Sequence, residues 1–355
     1  MLQDAIQCAG NAAPQDFSAR LITWQKRHGR HHLPWQSHDP YRVWLSEIML
    51  QQTQVGTVLG YYAAFLERFP TLAALAQAPL DDVLAAWSGL GYYSRARNLH
   101  RAAQAVMTQH GGVFPSDFDA VLALPGIGRS TAAAILAFAF GQRRAILDGN
   151  VKRVLTRIFG IAGWPGEKAV EQQLWHRAES LLPMHDIEAY TQGLMDLGSV
   201  LCTRTPTCTP CPFNGQCVAQ QQGRTRELPT SRPKKVQPIR DATLFVLQRD
   251  DGRILLERRP NSGIWGGLWS LPQGENGAAL TALLPQFSCE LLEILPAWPE
   301  FEHVFTHFRL IITPQPVRVT VLRDHPGIRW LVPEQALALG LPAPVRKLLV
   351  ADQFS

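Results

Sequence analysis

The sequence predicts a mainly α N-terminal domain ending in a four-cysteine loop, followed by a smaller α+β domain. Three observations carry that expectation. Apolar residues recur at helical spacing from Phe17 to about Ala219, and strand-like alternation replaces that period in the last third of the chain. Between the two lies a short, basic, proline-containing stretch. At 355 residues the chain is long enough for two or three compact cores. The boundaries read from these signals are 1–224 for the helical domain, 225–238 for a basic linker and 239–355 for the α+β domain.

In the helical domain, Trp44, Ile48, Gln51, Val55 and Leu59 share one periodic face, as do Leu72, Leu75, Leu80, Val83, Leu84 and Trp87. Breaks are expected at Pro40, Pro70, Pro79, Gly89/Gly91, Gly111/Gly112 and Pro125/Gly126. Short helices with short connections imply a compact bundle of antiparallel neighbours. The most apolar run, Thr131 to Phe140, is too short for a membrane span and reads as a buried helix. In the second domain, strands are expected at Thr243–Arg249 and Arg253–Arg258, joined by the hairpin signal Asp250-Asp251-Gly252. Further strands fit Arg309–Ile312 and Val317–Leu322, with short helices near Ala278–Leu284 and Val345–Val350.

With 46% apolar residues and no bilayer-length segment, the chain is expected to be soluble. Met1 to Asn11 lacks a basic region followed by an apolar run, so an intracellular, reducing setting is expected. A net charge of +5 permits a polyanionic partner without establishing one. Arg224, Arg226, Arg232, Lys234 and Lys235 cluster in the short Pro-containing stretch at and within the linker, where a solvated tether and a phosphate-facing clamp are both open readings.

Cys202, Cys208, Cys211 and Cys217 read as C-x5-C-x2-C-x5-C, and only Cys8 and Cys289 lie elsewhere. Four thiols this close, with Pro206, Pro210 and Pro212 stiffening the turns, suit one metal centre. Thiolate donors serve zinc and iron–sulfur chemistry alike, so the cysteines leave both open.

Leu124-Pro125-Gly126-Ile127-Gly128-Arg129-Ser130-Thr131 closes one helical segment and opens another. Gly126 and Gly128 permit a tight turn whose following helix presents free N–H groups, which suits a phosphate. A plain helix–helix turn is the alternative. Asp148 stands where a helix N-cap belongs, and accepted N–H bonds there are expected to lower its pKa. Glu47 borders the apolar stripe of Trp44, Ile48 and Leu50, where partial burial raises a carboxyl pKa. Together the two acids would make a proton donor and a cation stabiliser, the pairing used in glycoside chemistry. Gln51, Gln52, Tyr92 and Tyr93 are slender or planar side chains near turns, suited either to wedging between bases or to ordinary packing.

These segments together resemble the MutY family of adenine DNA glycosylases, in the helix-hairpin-helix glycosylase superfamily. The matching stretches are Leu33-Pro34-Trp35, Trp44 through Val55, Gly89 through Tyr93, Leu124 through Thr131, Leu147 through Val154, Met195 through Gly198 and the cysteine cluster. The likeness continues through Gly263 to Trp269 and Phe305-Thr306-His307, and so covers nearly the whole chain. It implies a helix-hairpin-helix domain with an iron–sulfur loop, then a Nudix-like domain that recognises 8-oxoguanine. The implied reaction is hydrolysis of the glycosidic bond of adenine mispaired with 8-oxoguanine, or with guanine or cytosine. Glu47 would protonate the leaving base, Asp148 would stabilise the sugar cation and Asn150 would assist. Arg30 and Gln192 would surround the extruded adenine. Leu50, Gln52, Thr53, Leu90, Tyr92, Phe305, Thr306 and His307 would meet the opposite strand and its lesion. Gly126, Gly128, Ser130 and Lys152 would hold the DNA backbone, and the four cysteines a [4Fe–4S] cluster. The implied partner is duplex DNA carrying an A·8-oxoguanine or A·G mispair, bound by a monomer with no membrane association.

Three features sharpen the expectation. Ser130 stands where bifunctional relatives carry a lysine, and a hydroxyl forms no imine, so a monofunctional enzyme is expected over an endonuclease III-like lyase. The cysteine spacing is one residue shorter than the family's usual C-x6-C, leaving Arg204 as the sole charge in that loop. The second domain offers only Glu275, Glu290 and Glu293 between Gly274 and Leu295, too sparse for the metal-binding acids of a working Nudix hydrolase. A catalytically silent iron–sulfur DNA-binding protein is the reading from another class, and the presence of both Glu47 and Asp148 argues against it.

Overall fold

The tertiary structure is a computed structural model, and it describes residues 14–233, 236–274, 277–323 and 327–351. Met1 to Asn11 with Cys8, and likewise Lys234, Lys235 and Glu275, lie outside the described residues. The first helices are α1 (Pro14–His28), α2 (Pro40–Leu50), α3 (Val55–Arg68), α4 (Leu72–Gln77), α5 (Leu80–Ala86) and α6 (Ser94–Gln109). They are followed by α7 (Phe118–Ala123), α8 (Arg129–Phe140), α9 (Gly149–Phe159), α10 (Lys168–Ser180) and α11 (Ile187–Asp196). A π-helical turn, Leu197–Leu201, continues α11, and α12 (Val218–Gln221) follows the cysteines. Contacts divide the chain into two compact units: Met1–Tyr62 with Ala102–Lys234, and Ala63–Arg101 with Lys235–Ser355.

In the first unit, α8 supplies an alanine-rich wall, with Ala132 through Ala137 all buried. Small side chains let α2 and α11 approach it closely. Phe17, Leu21 and Trp24 recur along α1 at near-helical spacing and bury one stripe against α11. Complete burial of side chains such as Leu21 and Leu155 is worth about 1.5–3 kcal/mol each. The periodic run from Trp44 to Leu59 is not one helix. It breaks at Gln51–Gln54, where Gln52 takes φ 57° and Thr53 N–H donates back to Leu50 O. Past the break the inward face is Val58, Tyr62 and Phe65, whereas Leu59 of the expected face is exposed, because the turn resets the helical phase.

Capping follows local chemistry. Asp39 accepts from the N–H groups of Tyr41 and Arg42 with Pro40 at the first helical position, so α2 starts there. Gly160 ends α9 at φ 64°, and a Cβ there would lie 2.5 Å from Val218 Cγ1. Only glycine meets both demands.

In the second unit the strands are β1 (Ile239–Gln248), β2 (Ile254–Arg258), β3 (Trp269–Ser270) and β4 (Gln273–Gly274). They continue with β5 (Cys289–Ile294), β6 (Phe301–Val304), β7 (Arg309–Val321) and β8 (Ile328–Leu331). Helices α13 (Gly277–Gln286), α14 (Pro333–Ala336) and α15 (Ala343–Val350) complete it. The sheet runs β3-β2-β1-β7-β5, with β4 on β1, β6 on β7 and β8 on β2; β1 and β7 are parallel. Two strands expected at 309–312 and 317–322 are one, β7, although it contains Pro314 and Pro316. Their carbonyls accept from Trp298 and Leu295 N–H, on the side away from β1. A strand residue's N–H and C=O share a side, so the missing donors cost β7 nothing against β1.

Candidate active site

Glu47 lies on α2 at the wall of a cavity of about 320 Å³. Arg30, Trp35, Leu50, Phe138, Gln192 and Met195 also line it. Burial and the nearby Asp148 charge raise the Glu47 pKa to about 8. The carboxyl is therefore protonated at neutral pH, as the apolar stripe suggested.

Asp148 caps α9, its Oδ1 accepting from Val151 N–H at 2.8 Å and its Oδ2 from Asn150 Nδ2 at 3.5 Å. The expected lowering of its pKa is overturned. Burial raises it, outweighing the pull of the Val151 N–H, the Arg153 charge and Asn150. A cap compensates part of the desolvation of a carboxylate, but this one is taken far from water. Donors surround Asp148 alone, whereas Glu47 feels burial and a like charge, so Asp148 loses its proton first.

Asn150 is held in turn, its Oδ1 accepting from Arg153 Nη2 at 2.7 Å. The same Nη2 reaches Gly198 O, and Arg153 Nε reaches Cys202 O, both at 2.7 Å. Gly198 permits this approach: a Cβ there would lie 2.6 Å from Asn150 Cβ and 3.2 Å from its Cα. Gly198→Ala is expected to push the start of α9 aside, costing about 1–3 kcal/mol and slowing the reaction at least tenfold. Thermal melting and single-turnover kinetics check both.

Arg30 and Gln192 meet through Asp196, which lies in one of the matching stretches but was given no role there. Asp196 is fully buried and accepts from Arg30 N–H at 2.9 Å, Arg30 Nε at 2.6 Å and Gln192 Nε2 at 2.8 Å. The available signal was an acid on the apolar face of a helix, one turn after Gln192. Arg153 and Arg157 were missed as well. Arg157 is buried and donates to Leu228 O, Thr203 O, Arg204 O and Cys202 Sγ. Arginines at i and i+4 on a helix with buried neighbours were the sign.

The hairpin turns at Gly126, φ 81°, and Gly128 is the N-cap of α8 with no side-chain cap. A Cβ at Gly128 would meet nothing within 4 Å, so the helix N-terminus is open. Ser130 Oγ accepts from Leu147 N–H at 2.9 Å, tying the hairpin to the segment that carries Asp148. Lys152 Nζ lies 2.6 Å from Glu171 Oε1. Gln52 and Thr53 sit in the turn after α2, with Gln52 exposed and Thr53 half-buried.

The remaining candidates belong to the second unit. Leu90 is buried and Tyr92 exposed, in a turn where Gly89, Gly91 and Tyr92 all have positive φ. Trp87 Nε1 and Arg95 Nη2 donate to the carbonyls of that turn. Thr306 and His307 form an exposed tip after β6, where Phe305 N–H donates to Phe308 O and the two rings stack at 4.5 Å. Glu290 and Glu293 lie exposed on β5, and Glu293 pairs with Arg318.

All four loop cysteines line one apolar cavity of about 20 Å³. Among the described residues, no set of three or more His, Cys, Asp or Glu side chains is posed to hold a metal ion as it stands. The donor chemistry nonetheless fits a thiolate-ligated group. Burial raises the Cys217 thiol and pushes Cys211 up to about 12, so bare thiolates are disfavoured without a metal. The Phe213 N–H points at Cys211, those of Gln220 and Ala219 at Cys217, and Arg157 at Cys202, as sulfur ligands require. Phe213 stacks on Phe17 at 4.6 Å and anchors the loop in the core. Arg232 lies over Trp164 at 5.5 Å.

Residues 45–180 match the HhH-GPD superfamily of base excision DNA repair proteins, and residues 243–351 match the NUDIX domain. The chain is 37% identical to an adenine DNA glycosylase of Buchnera aphidicola, covering 94% of this chain and 96% of that one. It is 32% identical to the human adenine DNA glycosylase, covering 94% and 73% respectively. Among solved structures it resembles a thermostable thymine-DNA glycosylase with TM-score 0.53 at 29% identity, over 59% of this chain and 97% of that one.

Proposed function

The chain belongs to the adenine DNA glycosylase family, and from that premise we propose that it is a monofunctional enzyme removing adenine mispaired with 8-oxoguanine in duplex DNA. It would act as a monomer inside the cell; no described helix is long and apolar enough to cross a membrane. The observation that carries the reading is Glu47, kept protonated up to about pH 8 at the wall of a cavity sized for one small ligand.

In this reading adenine leaves the base stack and enters the cavity, with Arg30 and Gln192 around it. The C1′–N bond breaks with its electron pair going to the base, and Glu47 delivers the proton that neutralises the base. The sugar becomes an oxocarbenium-like cation. Asp148, losing its proton before Glu47, supplies the opposing charge in a site of low dielectric. Asn150, fixed by Arg153, holds Asp148 in place. Water completes the hydrolysis. The hairpin at Gly126, Gly128 and Ser130, with Lys152 on α9, is assigned to the DNA backbone, where contacts position the duplex without reading sequence. Leu90, Tyr92, Phe305, Thr306 and His307 are assigned to the opposite strand and its 8-oxoguanine, with Leu50, Gln52 and Thr53.

The deciding experiment is single-turnover base release from a duplex with one A·8-oxoguanine pair, developed with and without alkali. Adenine release with scission only after alkali supports the proposal. Scission without alkali indicates a lyase, and no release from iron-loaded protein indicates a silent binder. The two carboxyl groups also set a pH profile. Rate is expected to fall as pH rises through about 8, when Glu47 loses its proton, and to fall again in acid as Asp148 gains one. A rate flat from pH 6 to 9 would remove Glu47 as the acid.

Cys202, Cys208, Cys211 and Cys217 are proposed to hold a [4Fe–4S] cluster. Bound there, it would supply a staple of metal–thiolate bonds for the loop after α11. Purified protein is expected to carry about four irons per chain. Cys211→Ser is expected to lose the iron and lower the melting temperature. Stoichiometric zinc in place of iron would sink this assignment.

A further inference from the structure

The second unit joins a segment of the helical region, Ala63–Arg101, to the C-terminal sheet. Within it, the turn carrying Leu90 and Tyr92 is held from outside at both flanks. Before the turn, Ser88 Oγ accepts from Arg346 Nη2 at 2.9 Å. After it, Tyr93 Oη donates to Leu341 O at 2.8 Å. The Ser88 and Tyr93 hydroxyls lie 3.3 Å apart, so the bonds form one continuous bracket. Arg346 is itself fixed on α15, its Nη2 also reaching Leu337 O at 2.9 Å.

The bracket matters because the turn is not at rest by itself. Three of four successive residues, Gly89, Gly91 and Tyr92, have positive φ of 103°, 70° and 48°, and Tyr92 is no glycine. A left-handed tyrosine is strained and persists only where its surroundings hold it. The ring so presented is half exposed, at 51%. The residues that line the cavity at Glu47 all belong to the other unit.

We infer that Tyr93 and Arg346 are positioning residues by which the C-terminal domain sets the presentation of Tyr92, and so the enzyme's discrimination of the base opposite adenine. The inference rests on the function proposed above and deepens it. The C-terminal domain thereby acts twice, through its own loop at Thr306 and His307 and through a turn of the helical region. Neither Tyr93 nor Arg346 takes part in bond breaking.

The test is Tyr93→Phe, which removes one oxygen, and Arg346→Ala, with Arg346→Lys as the conservative variant, all in the full chain. Binding is measured to duplexes with a tetrahydrofuran abasic site opposite 8-oxoguanine or opposite guanine, alongside single-turnover adenine release at saturating enzyme. Tyr93→Phe and Arg346→Ala are expected to weaken binding opposite 8-oxoguanine about five- to tenfold. Binding opposite guanine should change less than about twofold, and saturated release should be unaltered. In a Tyr92→Ala background, Tyr93→Phe should have no further effect, because the group it positions is gone. Arg346→Lys should recover part of the loss. Equal weakening on both duplexes, no weakening, or a full effect persisting without Tyr92 would each overturn the inference. Failure of the underlying function would show separately, as no adenine release by the unsubstituted chain.

Discussion

Glu47→Gln is expected to cut adenine release about 10²- to 10⁴-fold, the usual contribution of a positioned general acid, while duplex binding is kept. Glutamine retains the shape and loses only the transferable proton. The same substitution is expected to stabilise the protein at neutral and alkaline pH. The folded pKa of Glu47, about 8, lies above the ordinary 4.5. Its contribution is therefore intact below about pH 4.5 and is lost as pH rises through 8. At pH 7 the accumulated penalty is about 3 kcal/mol. Urea unfolding at pH 5 and pH 8 should show Glu47→Gln gaining on the unsubstituted protein as pH increases. Parallel behaviour of the two would mean that the carboxyl is not held protonated. A gain in stability together with a loss of activity is the signature of a site that stores strain for chemistry.

Asp196→Ala is expected to produce the largest combined loss. Removing a fully buried carboxylate leaves Arg30 and Gln192 without their shared acceptor. Breaking a buried charge pair costs about 3–5 kcal/mol, and partial exposure of Arg30 places this one near the lower limit. Release of adenine should fall at least tenfold, because both side chains assigned to the base lose their orientation. Asp196→Asn is the more discriminating change. It keeps the shape but turns one acceptor into a donor facing donors, at about 1–3 kcal/mol. Urea unfolding and single-turnover kinetics on the same preparations read both effects. If Asp196→Asn altered neither, the organising role of Asp196 would be wrong.

Several parts of the site were legible because their chemistry is local. An aspartate followed by Gly149, Asn150 and a helical run reads as a cap, and Asp148 is one. Gly126 and Gly128 read as a turn opening a helix, and α8 begins at Arg129. Glu47 beside Trp44 and Ile48 read as a carboxyl drawn toward apolar company, and its pKa is raised. The Asp148 pKa failed for an instructive reason. Sequence exposes the donors of a cap, which lie within three residues, but not the depth of burial, which depends on the rest of the bundle. Burial was the larger effect. The strands of the C-terminal sheet were only partly legible. The continuity of β7 through Pro314 and Pro316 depends on which side its partners lie, and no local pattern states that.

The order of helices then sheet, the four-cysteine loop, the hairpin and the two carboxylates can be read from the amino-acid order, because each is encoded within a few neighbouring residues. What those pieces do to one another depends on how the chain packs. Asp196 meets Arg30 across 166 positions, Tyr93 meets Leu341 across 248 and Arg346 meets Ser88 across 258. Such contacts come from packing many elements at once, and their strength comes from excluding water, which no short stretch of chain can do alone.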